Sequence, residues 1–260
     1  MALFAEMGDV RVALDEDRVA TIEIRRAPNN FFDQKLIASL ADALEALDGD
    51  DGCRAVVLCS EGKHFCAGAN LGSGSPGATD VEGRHLYDEA VRLFATRKPI
   101  LAAVQGAAVG GGLGLALAAD FRVATAESRF AANFARLGFH HGFGLTVTLP
   151  AVVGGQGALD LLYTGRRIGG EEARRIGLCD RLVAASQLRG EAHSWAAEIA
   201  ASAPLAVESI RATLRGDLAE RVRVATDRER REQERLQATE DFREGVAAMA
   251  ARRPPSFRRR

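Results

Sequence analysis

The sequence predicts an α/β fold with mainly parallel strand pairing, followed by an all-helical region. Three observations carry this. Strand-like and helix-like segments alternate through the first half of the chain. Residues 54–59 (RAVVLC) form a short, nearly continuous apolar run, the pattern of a strand covered on both faces. Beyond Leu182 the apolar periodicity is helical throughout.

In order along the chain, residues 10–14 and 18–24 read as strands joined by the acidic turn Asp15-Glu16-Asp17. Asp33 can cap a helix whose apolar face is Leu36, Ile37, Leu40, Leu44 and Leu47, and residues 49–52 end it. Residues 60–79 are irregular and rich in Gly and Ser, and compact domains rarely keep such loops without a use. A helix is expected over 81–95, a strand over 100–104 after Pro99, an apolar helix from Gly110-Gly111-Gly112 to near Ala119, and a buried strand over 121–124. Helices are then expected over 188–201, 205–214 (with Pro204 in the favoured first turn), 218–236 and 242–249. The stretch RVRVATDRERREQERLQ reads on charge as a solvated face, with packing on another subunit as the alternative. Two parts of one unit, 1–195 and 196–260, fit the pattern better than two free domains.

At 260 residues and 47% hydrophobic, the chain can bury a core without metal or disulfides. A formal net charge of −1 gives no general attraction to nucleic acid or membrane. Cys53, Cys59, Cys66 and Cys179 form no C-x-x-C pair and have no histidine at zinc-ligand spacing, so no metal site is expected. They read as small buried residues of a reducing compartment. The first ten residues lack a signal-peptide pattern, and no uncharged apolar run approaches a membrane span, so the expected location is cytoplasmic.

Two segments can carry chemistry. His64-Phe65-Cys66-Ala67-Gly68-Ala69-Asn70-Leu71 follows a buried strand, and Gln105 to Gly114 (QGAAVGGGLG) marks a strand-to-helix junction. Glycines at a helix start let a ligand approach bare amides, and a helix N-terminus favours developing negative charge. The other reading, close packing of helix on strand, is equally compatible with composition. Neither Gly110-x-Gly112 nor Gly112-x-Gly114 is followed three residues on by Gly or Ala (Leu115 and Leu117 stand there), which argues against a dinucleotide fingerprint. No G-x-S-x-G is present, which argues against a serine hydrolase.

HFCAGANL, AAVQGAAVGGGLGLALAADFRVAT and LDLLYTGRRIGGEEARRIGLCDRLV together resemble the enoyl-CoA hydratase/isomerase (crotonase) superfamily, over nearly the whole chain. The resemblance implies a crotonase-like spiral of ββα units with a C-terminal helical trimerisation region, and a homotrimer or dimer of trimers. It implies an acyl-CoA substrate and no cofactor beyond the coenzyme A moiety. Ala69 and Gly111 match the family's two oxyanion amides. Ala67, Gly68, Asn70, Leu71 and Gly110 match positions along the coenzyme A channel, and Arg26 and Lys63 match positions near its nucleotide end. The family's two catalytic glutamates fall on Gly114 and Phe134, which cannot move protons.

The turn Phe139-His140-His141-Gly142-Phe143-Gly144 aligns near the acyl end. Two readings stay open for its histidines. They are structural loop residues, or one of them, His141 ahead of His140, serves as general acid or base. His64, His85 and His193 are read as structural, although the helix carrying His85, Tyr87, Asp88 and Glu89 could cover the pocket. Asp120 is expected to have a structural part at a helix-to-strand joint.

Overall fold

The computed structural model describes residues 2–70, 79, 80 and 82–260, with the backbone alone for residues 2–4. Strands β1 (Ala2–Met7), β2 (Val10–Leu14) and β3 (Val19–Ile24) form an antiparallel meander. β3 then pairs in parallel with β4 (Ala55–Ser60), and β4 with β5 (Ile100–Val104). The chain leaves this sheet as β6 (Ala107–Val109), returns as β7 (Phe121–Ala124) beside β5, and leaves again as β8 (Arg129–Ala131) and β9 (Arg167–Gly169). β10 (Arg181–Leu182) completes the main sheet, ordered β1-β2-β3-β4-β5-β7-β10, while β6, β8 and β9 form a second sheet.

Every residue of β4 is buried, as its unbroken apolar run predicts, because helices cover both faces of the sheet. Val56 and Leu58 face a core shared with α1 (Gln34–Asp48), α2 (Leu86–Ala95) and α3 (Gly111–Ala118). The five predicted apolar positions of α1 are all buried there. Each such side chain contributes roughly 1.5–3 kcal/mol. Asp33 caps α1 by accepting the Leu36 N–H at 2.8 Å.

After β8 comes α4 (Leu145–Thr164), broken by non-helical geometry at Gly154, and after β9 the short α5 (Gly170–Arg175). By length and composition α4 also meets the criterion for a membrane span, with 28% of its apolar window buried. On the opposite face of the main sheet, Ala55, Val57, Cys59, Leu101 and Ala103 pack against Leu188, Ala192, Ala196 and Ala200 of α6 (Leu188–Ala200). The position 195/196 therefore lies inside a helix that belongs to the sheet. Helices α7 (Pro204–Arg215), α8 (Leu218–Gln237) and α9 (Glu240–Ala250) follow.

Asp120 takes the expected structural part. Its carboxylate accepts the Ile100 N–H at 2.8 Å and pairs with Arg211 and Arg215 of α7 at 2.9 and 2.8 Å. Two expectations change. The helix expected from residue 81 begins at Leu86, because His85 caps it and Thr79 bridges to His85. The charged α8 is not solvated all round. Val222, Ala225, Thr226 and Glu229 are buried, and the helix packs on α2 and α4.

Candidate active site

The two sequence segments meet by mutual penetration of their backbones. A Cβ on Gly112 would lie 2.1 Å from the Cys66 carbonyl oxygen, and one on Gly68 would lie 2.8 Å from that of Val109. Only glycine at both positions permits this approach. The Cys66 N–H donates to Ala107 O at 2.9 Å and the Val109 N–H to Cys66 O at 3.1 Å. On the other flank the Ala67 N–H donates to Asn29 O at 3.0 Å and the Phe32 N–H to Gly68 O at 3.1 Å. Residues 66–69 are thus clamped between β6 and residues 29–32.

Beside this clamp lies a cavity of about 1010 Å³. Ala67, Gly68, Ala69, Asn70, Gly110 and Gly111 all line it. Gly111 is the first residue of α3, where amides lack an intrahelical acceptor and the helix dipole is positive. Leu71 lies outside the described residues, as does most of the stretch that follows it.

Lys63, Arg129 and Arg167 line the cavity as well. His64 lies among them, and its Nδ1 accepts the Ala107 N–H at 3.1 Å. Burial, then Lys63 and Arg167, push its pKa down. Arg26, expected here, does not line the cavity. Its guanidinium is held by Asp9 and by Asp33 at 2.9 Å, and donates to Phe31 O at 3.3 Å.

Aromatic rings form the wall beyond the glycine junction. Phe32 and Phe143 meet edge to face at 5.5 Å, and Phe134, Phe139 and Phe242 continue as two further edge contacts of 5.4 and 5.2 Å. Phe143 has φ of 62°, an uncommon conformation for an aromatic residue. That backbone turn drives its side chain into the space over Gly114, where a Cβ would lie 2.6 Å from that of Phe143. Position 114 therefore has no room for a longer side chain unless Phe143 moves. Phe134 also lines the cavity.

Further lining comes from α2, its cap and α8: His85, Leu86, Tyr87, Arg230, Gln233 and Glu234. The Tyr87 hydroxyl donates to Gln233 Oε1 at 2.8 Å, and Gln233 Nε2 donates to His140 O at 3.0 Å. Sequence reasoning missed the α8 residues. Their three- and four-residue spacing was the available signal, masked by the surrounding charge.

Of the two readings left open for His140 and His141, the geometry favours the structural one, since neither is among the residues that line the cavity. The cause is Glu229 of α8, fully buried, which holds the start of α4. It accepts from the Gly144 and Thr146 N–H groups at 2.9 and 3.0 Å and from the Thr146 hydroxyl at 2.6 Å. With that hydroxyl proton committed, His141 Nε2 donates to Thr146 Oγ1 at 2.9 Å. His141 is thus the outer member of a His–Thr–Glu chain. Burial and then neighbouring His140 push its pKa down to about 4, while burial raises that of Glu229. His140 Nδ1 donates to His141 O at 2.7 Å, and the two rings stack at 4.1 Å.

Comparison with known proteins agrees with this architecture. The family model described as Enoyl-CoA hydratase/isomerase matches residues 15–260. A Rhizobium meliloti protein described as "Probable enoyl-CoA hydratase" is 35% identical, with 94% of this chain and 96% of that protein covered. Carnitinyl-CoA dehydratase of Proteus mirabilis is 32% identical, with 93% and 95% covered. The crystal structure of an enoyl-CoA hydratase/isomerase from Pseudoalteromonas atlantica superposes with a TM-score of 0.87 at 31% identity, covering 96% of this chain and all of that one. The chain belongs to the enoyl-CoA hydratase/isomerase family, within the crotonase superfamily.

Proposed function

We propose that this protein binds acyl-CoA thioesters and stabilises a thioester enolate between the backbone N–H groups of Ala69 and Gly111. The observation that supports this most is the nested loop pair, which sets two amide-bearing segments side by side on one cavity wall. A thioester oxygen seated there accepts from both amides. As the enolate forms, its charge grows opposite the N-terminus of α3. One such donor contributes on the order of 3 kcal/mol of transition-state stabilisation. Lys63, Arg129 and Arg167 in the lining supply positive charge suited to the phosphates of coenzyme A.

Proton movement in this scheme does not use the paired glutamates of the family, since Gly114 and Phe134 stand at those positions. The reaction classes that remain are isomerisation, decarboxylation, C–C bond hydrolysis and an atypical hydration, each passing through a stabilised enolate. The exposed Leu205, Ile210 and Leu214 of α7 and Tyr163 of α4 are compatible with association into a trimer or a dimer of trimers.

A second reading is favoured by one observation: Phe143 fills the space over Gly114. On this reading the protein is a non-catalytic acyl-CoA binder or partner subunit. Hydration of crotonyl-CoA, followed by loss of the conjugated thioester absorbance and by mass, separates the two readings. Turnover supports an enzyme that activates water without glutamates. No turnover with binding intact directs the assay to β-keto and malonyl-type thioesters. No acyl-CoA binding by calorimetry overturns both.

A further inference from the structure

On the α2 and α8 side of the cavity, nearly every polar group is committed to a partner. The Tyr87 hydroxyl donates to Gln233, and Gln233 is spent on His140 O. Arg230 Nε donates to Glu234 at 2.9 Å, so the two charges offset each other. His85 is different.

His85 caps α2, with Nδ1 accepting the Tyr87 N–H at 3.0 Å while Asp88 accepts the His85 N–H at 3.0 Å. A lone pair used in this way fixes the tautomer, so in the neutral ring the proton sits on Nε2. Burial and then Arg230 hold its pKa below the ordinary value, against the opposing pull of Asp88 and Glu234. The ring lines the cavity, edge-on to Tyr87 at 5.0 Å. Among the described residues none accepts a hydrogen bond from Nε2.

The position of this donor along the cavity follows from contacts. Phe143 lies against Gly111, and the Tyr87 hydroxyl reaches the backbone at Gly142, 1.8 Å from where a Cβ would stand. His85 sits at the backbone end of Tyr87, its Nδ1 3.0 Å from the Tyr87 nitrogen, so the length of the Tyr87 side chain separates it from the contacts of the hydroxyl.

We propose that His85 determines specificity, its Nε2–H selecting acyl groups that carry a neutral acceptor oxygen (carbonyl, hydroxyl or ether) remote from the thioester. This rests on the acyl-CoA reading of the same cavity. A purely alkyl chain strips water from Nε2–H and returns no hydrogen bond. A carboxylate has to compete with Glu234 for Arg230. His85 serves as a donor rather than a base, because its lone pair faces the α2 backbone and not the cavity.

The test is calorimetry on the full chain with three probes of equal length. These are hexanoyl-CoA, its keto analogue with the ketone at the penultimate carbon, and the ω-carboxylate adipoyl-CoA. The keto probe is expected to bind about tenfold tighter than hexanoyl-CoA, the factor corresponding to about 1.4 kcal/mol. His85→Asp keeps a good helix cap but carries no donor, and is expected to abolish the preference. His85→Ser provides a second cap-retaining variant, and thermal melting checks that both are folded. Equal binding of keto and alkyl probes by the wild type, or a preference that survives in both variants, overturns the inference and leaves the acyl-CoA reading standing. Tightest binding of adipoyl-CoA overturns the neutral-acceptor assignment in favour of Arg230. If no probe binds, the acyl-CoA reading fails and the inference with it.

Discussion

The two walls of the cavity are built in different ways. The glycine junction is a backbone structure. Residues 66–69 and 107–112 are fixed by main-chain hydrogen bonds and by the absence of two Cβ atoms. The rest of the lining is a side-chain structure, assembled from α2, α8 and the 139–144 turn through Tyr87, Gln233, Glu229 and Phe143. A backbone site is set by a few consecutive residues and tolerates almost no added atom at its closest contacts. A side-chain wall depends on elements brought together from distant parts of the chain, and can be rebuilt without disturbing the fold. The first therefore suits a chemistry shared by a family, and the second suits what distinguishes its members.

If that contrast holds, the largest effect comes from adding one methyl group to the junction. Gly112→Ala places a Cβ against the Cys66 carbonyl, so the loops must separate. A loss of roughly 3 kcal/mol or more is expected in urea unfolding, with acyl-CoA binding abolished in any folded fraction.

Next is Gly114→Glu, which introduces the residue type that the family resemblance implies at this position in a hydratase. The overlap with Phe143 leads us to expect destabilisation of about 2–3 kcal/mol and no gain in crotonyl-CoA hydration. Adding Phe143→Ala is expected to recover part of the stability. Full stability and hydration in the single variant would show that the aromatic wall yields easily.

Glu229→Ala leaves two amides and a hydroxyl at the start of α4 without their acceptor, costing about 2–3 kcal/mol by thermal or urea denaturation.

A smaller effect lies in the pH dependence of His141. Its folded-state pKa is pushed from 6.5 to about 4, so the unfolded chain binds more protons between those values. The contribution is present above pH about 6.5 and is lost as the pH falls toward 4, with an upper magnitude of about 3 kcal/mol. Glu229, raised by burial, acts in the opposite sense, with stability lost as pH rises through its folded value. Comparing wild type with His141→Gln isolates the histidine, and the variant is expected to lose less stability between pH 7 and 5. Equal pH slopes would remove His141 from the account.

The sequence disclosed what depends on neighbours in the chain. Asp33 capped its helix, residues 55–60 formed the buried strand, and the strand Ile100–Val104 and the helix after Gly110 lie where their patterns put them. The strands β6, β8 and β9 have only three residues each, too few to show a period, and they exist through pairing with one another. β1 likewise depends on β2 for its definition. In α8, a buried face that includes Glu229 and Thr226 cannot be told from a solvated one by charge, since its polar atoms are satisfied from elsewhere in the chain. In the turn at His140 and His141, Phe139 and Phe143 line the cavity, but the contacts of the His141 ring are set by Thr146 and, through it, by Glu229, 85 residues away from Gly144.

The central claim, a thioester carbonyl held by the Ala69 and Gly111 amides, is tested most directly by isotope-edited infrared difference spectroscopy of a carbonyl-labelled acyl-CoA at saturation. Two strong donors polarise the bond, so the carbonyl band of the bound thioester is expected at lower frequency than that of the free ligand. A band at its free position, with binding demonstrated in the same sample, would contradict the account.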